Sequence, residues 1–176
     1  MAGATILALA RLIVATLLGL AAAQALANSA VELAAQRFEQ SYRALEARTA
    51  QCTSMQRRSV SVEALRRFEL TPEELEIALY VLAERAVEAC EAPAKGQLLI
   101  DLNTYRAVAA RQGTALQDTA INIEARLFSE AWRRIEREAT AYRHLPEGVR
   151  RRLEALPEVQ TPFDFFQALE EIRRSR

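Results

Sequence analysis

The chain has 176 residues, with 23 basic and 23 acidic side chains, one histidine and no net formal charge. That balance excludes a binder of nucleic acid or another polyanion, whose affinity rests on an excess of positive charge. The length suits one domain with its own core.

The first 27 residues read as a targeting segment. Arg11 supplies a positive charge, Leu12 to Ala23 is almost wholly apolar, and Ala25-Leu26-Ala27 offers the small-x-small pattern of a cleavage site. Spanning a bilayer takes about 20 apolar residues, more than Leu12 to Ala23 provides. The expectation is a signal peptide over 1–27, then a single helical domain over 28–176 in the periplasm or secreted. The alternative is a short uncleaved anchor facing the periplasm.

Val31, Ala34, Phe38, Tyr42, Leu45, Thr49 and Cys52 recur at steps of three and four, which predicts a helix with one mainly apolar face. Ser61 to about Glu69 forms a short second helix. Leu70-Thr71-Pro72-Glu73-Glu74 then carries a full start signal: an N-cap threonine, proline in the first turn, a glutamate closing the capping box, and a Leu70/Leu75 staple. The same five residues resemble the LTPEQ-type motif of small helical periplasmic chaperones of the Spy kind, with Glu74 in place of glutamine. The capping box accounts for that match, and nothing is carried over from it. Leu75, Leu79, Leu82, Ala86 and Cys90 line one face of the helix that follows.

Cys52 and Cys90 are the only cysteines. An even pair in an exported chain reads as a disulfide. With both cysteines at the C-terminal ends of their helices, a plain antiparallel hairpin would hold them about 27 Å apart, against the roughly 7 Å a bridge allows between Cα atoms. The expectation is therefore two roughly parallel helices, with Thr53 to Leu70 carrying the chain back.

Glu91 to Gly96, containing Pro93, reads as a linker; Gln97 to Gln112 as a helix ended by Gly113, with LLIDL the one weak strand candidate. Thr114 and Gln117 open a long helix reaching about Tyr142. His144-Leu-Pro-Glu-Gly148 breaks the pattern, a short turn of helix runs through Val149, Leu153 and Leu156, and a last helix spans Pro162 to about Arg174. There Thr161-Pro162-Phe163-Asp164 repeats the earlier start signal. The fold class is all-α: a compact bundle of about five helices after the leader, stapled by one disulfide.

No glycine-rich phosphate loop and no GxSxG, HExxH or CxxCH is present, so no cofactor, metal or specific small molecule is inferred. Asp101, in phase with Leu98 and Tyr105, is either a functional polar group or a helix-rim aspartate. His144, the sole histidine, falls where a helix ends and is either local structure at the negative helix terminus or a functional polar group. Phe163, Phe165 and Phe166 exceed what a terminal amphipathic helix needs and mark a candidate partner surface, or else core packing near Trp132. The arginine runs Arg150-Arg151-Arg152 and Arg173-Arg174 are interleaved with glutamates, as on a solvated face. These features point to an accessory protein, a chaperone-like factor, inhibitor or immunity protein, that binds another exported or envelope protein. The competing classes are a membrane-anchored subunit of an envelope complex, and an enzyme using Asp101 with Glu and Arg side chains.

Overall fold

A computed structural model describes the backbone of residues 2–127 and 131–174, and the side chains of residues 29–61, 63–123 and 136–174. The leader expectation for residues 1–27 and the role given to Trp132 lie outside the described side chains. Among the described residues no helix is long and apolar enough to cross a membrane.

The protein is all-α. Its elements are α1 (Ala2–Met55), α2 (Val62–Arg66), α3 (Pro72–Gln112), α4 (Asp118–Leu127), α5 (Ala131–His144), α6 (Glu147–Glu154), a 3-10 turn (Pro157–Val159) and α7 (Phe165–Arg174). No strand occurs among the described residues, and LLIDL lies inside α3.

The largest departure from expectation concerns α3. Glu91 to Gly96 is helix, not linker, so Cys90 lies in the middle of a 41-residue element instead of at its end. Proline inside a helix costs about 3 kcal/mol, since it lacks the N–H that would meet the Ala89 carbonyl. Side chains around Pro93 offset part of that cost. Lys95 Nζ reaches Glu88 at 2.6 Å and Glu91 at 3.0 Å, bracing the helix on both sides of the proline. Burial alone would lower the Lys95 pKa, but the hydrogen bonds and charges of those two glutamates override it and hold the ammonium above its ordinary value.

Continuity of α3 reverses the expected direction of packing. The bridge joins Cys52 to Cys90 with Cα atoms 6.1 Å apart, while Phe38 stacks on Tyr105 with ring centroids 6.0 Å apart. Descending α1 by fourteen residues thus matches ascending α3 by fifteen. The C-terminal part of α1 and the second half of α3 form an antiparallel hairpin, and the parallel arrangement is wrong. The premise that failed was the helix end at Cys90: with α3 running on past it, α1 packs alongside the later half.

The hairpin seam is nearly heptad. Ala34, Phe38, Ser41, Leu45 and Cys52 are buried on α1, facing Glu91, Leu98, Leu102, Tyr105 and Ala109 on α3, the spacing of a left-handed helix pair. The stripe runs through Ser41, while Thr49, expected on it, is exposed. The buried Ser41 hydroxyl is satisfied by the Arg37 and Phe38 carbonyls of its own helix. At the top, Arg48 Nε donates to the Cys90 carbonyl at 2.7 Å. Ala120 and Ile123 of α4 close this core from the side.

The first half of α3 has another environment. Leu75, Ala78, Leu79, Val81, Leu82, Ala83 and Ala86 are buried around more than one face, because α2, α5, α6 and α7 and the connecting turns wrap it. Val60, Leu65, Phe68, Tyr142, Leu145, Leu153, Val159, Phe163, Ala168 and Ile172 complete that second core. Each fully buried leucine or isoleucine there stabilises by roughly 1.5–3 kcal/mol.

Local start and stop signals work as written at α3 and differently elsewhere. Thr71 N–H donates to Glu74 Oε2 at 2.8 Å and Glu74 N–H to Thr71 Oγ1 at 3.2 Å, and the backbone bond to Thr71 holds the Glu74 carboxyl below its usual range. Gly113, at φ 63°, ends α3 in the left-handed conformation that glycine adopts without penalty. The repeat of the start signal at Thr161 does not open a helix. Its hydroxyl instead accepts from the Arg58 guanidinium, Pro162 and Phe163 enter the core, and α7 begins at Phe165 with Asp164 Oδ1 accepting the Gln167 N–H at 2.8 Å. Likewise α4 starts after Gln117, not at Thr114.

Candidate functional site

The three phenylalanines of FDFF part company. Phe163 is 2% exposed in the upper core. Phe165 is half-buried and meets Tyr80 edge-on, ring centroids 5.7 Å apart. Phe166 stands 74% exposed, its ring edge-on to Phe165 at 5.2 Å. This follows from the pitch of α7: Ala168, Leu169 and Ile172 take the inward face, Phe165 falls at its edge, and Phe166 is left pointing out.

These rings border an open groove of about 550 Å3 between the first turns of α3 and the outer side of α7. Ile77, Tyr80, Phe165, Phe166 and Leu169 give it an apolar floor, and Glu73, Glu76, Glu138 and Arg173 form its rim. Arg173 is engaged by Glu76 at 3.1 Å. In the sequence Glu73 stands out only as part of the helix start signal, and Glu76 and Tyr80 carry no signal of their own. Their seven-residue spacing put them on one side of α3, but only the docking of α7 and α5 reveals that side as a groove.

A polar network secures the wall behind it. Tyr142 of α5 is fully buried and donates its hydroxyl to Glu154 Oε1 of α6 at 3.1 Å. Arg85 of α3 reaches the same oxygen at 2.8 Å, with its guanidinium carbon 5.0 Å from the Tyr142 ring centroid. Burial first, and then the Glu154 charge, push the Tyr142 phenol far above its ordinary pKa, so it stays protonated. One arginine and one glutamate thereby tie α5 and α6 to α3.

The remaining candidates are placed apart from this groove. Asp101 is half-buried on the hairpin, accepts from Gln97 Nε2 at 2.9 Å, and shares a shallow depression with Arg37, Gln40 and Ser41. His144 is exposed in the last turn of α5, remote in sequence and packing from Asp101. Arg151 and Arg174 pair with Glu147 and Glu170 one turn away on their own helices. No group of three His, Cys, Asp or Glu that could hold a metal occurs among the described residues. No family model matches the chain, and no curated protein or solved structure matches it either.

Proposed function

We propose that this protein is an exported accessory factor that works by binding another protein of the envelope, and that the groove between α3 and α7 is its contact surface. The observation that carries the reading is Phe166. An aromatic ring three-quarters exposed, beside further rings over an apolar floor, loses hydrophobic free energy until something covers it, and such rings are typical anchors of interfaces. Export is supported by the apolar leader with its small-residue cleavage pattern and by the Cys52–Cys90 bridge, a bond suited to oxidising compartments.

A photo-crosslinking amino acid placed at position 166, with exposed Asn103 on the hairpin as the control position, tests this in the native envelope. The expected outcome is an adduct of one defined mass from position 166 and none from 103. No adduct at 166, or the same adducts from both positions, overturns the assignment of the surface.

A further inference from the structure

We infer that the groove takes a cationic amphipathic helix, in which apolar anchors one turn apart are flanked by arginine or lysine. The inference rests on the binding reading above and names the chemistry of the partner. Three carboxylates, Glu73, Glu76 and Glu138, stand on the rim against one guanidinium, Arg173, which is already paired with Glu76. Glu73 has a partial structural reason, since an acid in the first turn of a helix favours the dipole, and Glu76 has one in its pairing with Arg173. Glu138 has none of that kind: it lies well inside α5 and pairs with no basic side chain among the described residues. The rim is thus a field of negative charge around an apolar floor, complementary to positive charge around an apolar ridge.

Shape points to a helix as the occupant. Glu73 to Tyr80 on α3 and Phe165 to Arg173 on α7 each span about 10–12 Å along their axes, two turns of helix. That length holds two anchors at i and i+4. A third helix between α3 and α7 would cover Phe166 and bring its polar edges beside the glutamates. An anionic membrane surface would be repelled by the same rim.

The test uses the full chain and two fluorescent helical peptides that share two leucine anchors at i and i+4. One carries arginine at the flanking positions and the other glutamate. Polarisation titrations at low and physiological salt should show the arginine peptide binding, weakening as salt rises, and the glutamate peptide binding far less. The triple variant Glu73→Gln, Glu76→Gln, Glu138→Gln should weaken the arginine peptide about tenfold, as expected for three exposed charge pairs, and erase the discrimination. Phe166→Ala should weaken both peptides. Thermal melts of each variant separate loss of binding from loss of fold. Equal binding of the two peptides, an unaffected triple variant, or no binding of the arginine peptide overturns the inference. If position 166 still crosslinks one partner, and the triple variant captures it as well as the parent does, the cationic chemistry fails while the binding surface stands. Failure at position 166 as well removes both.

Discussion

The two halves of α3 obey different packing rules. Beyond Cys90 the helix packs along α1, with α4 closing one side, and its buried residues Leu98, Leu102, Tyr105 and Ala109 repeat at four and three, as a two-helix seam requires. Before Cys90 it is enclosed, with neighbours such as Val81, Leu82 and Ala83 buried in succession, which only several surrounding helices can achieve. The seam gets its register from a periodic pattern and one covalent clasp. The enclosed half gets it from shape, from a phenylalanine and a tyrosine filling the space between short helices. A single helix can therefore serve two cores, provided the change of rule falls at a reinforced point, here Cys90 to Lys95.

The sharpest way to break the comparison is Phe163→Ala, expected to cost about 3–5 kcal/mol in denaturant melts by opening a cavity in the enclosed core. Phe166→Ala, three residues on, should change stability by no more than about 0.5 kcal/mol. Equal effects from the two would show that FDFF does not divide between core and surface. Removing the bridge with Cys52→Ser and Cys90→Ser should cost about 3–4 kcal/mol for a separation of 38 residues, with hydrogen exchange accelerating first in residues 31–52 of the hairpin. Faster exchange in α5 to α7 first would mean that the clasp serves the enclosed core instead. Thr71→Ala should cost about 1 kcal/mol through loss of the cap, read from the shift in melting midpoint.

The smallest effect concerns pH. Because the Tyr142 phenol is pushed up in the folded protein, its contribution is fully present below the unfolded tyrosine pKa of about 10. It is lost as pH rises further, since only the unfolded chain then ionises readily. Tyr142→Phe should remove this part of the alkaline decline, and cost about 1 kcal/mol near neutrality for the bond to Glu154. An unchanged slope above pH 10 would place the phenol in contact with solvent.

Much of the fold was legible because it is local. The cap at Thr71, the stop at Gly113 and the stripe through Phe38, Leu45 and Cys52 each depend on residues a turn or two apart, and each appears where the pattern placed it. The cysteine pairing was legible from number and context. What misled was Pro93, a strong breaker by itself, outweighed by salt bridges of Lys95 and by burial of Cys90 and Glu91. That single misplaced end turned an antiparallel pair into a parallel one. The site was half legible. An excess of aromatics in α7 is visible in the sequence, whereas which ring emerges depends on the neighbours of α7. The acidic rim draws on Glu73 and Glu76 of α3 and Glu138 of α5, more than sixty residues apart, and no local pattern links them.

Lys95 is the sole lysine of the chain, among 22 arginines, and it lies where the two packing rules meet. A protease specific for lysine therefore has one place to cut, between Lys95 and Gly96. Both cysteines precede that cut, so the two products, one ending at Lys95 and the other beginning at Gly96, separate on a gel without reductant. A protease needs the chain locally unwound, and here the unwinding must occur in the braced segment around Pro93. The rate at which the two fragments appear is thus a clock for the opening of α3 at its midpoint, built into the protein by the scarcity of one amino acid.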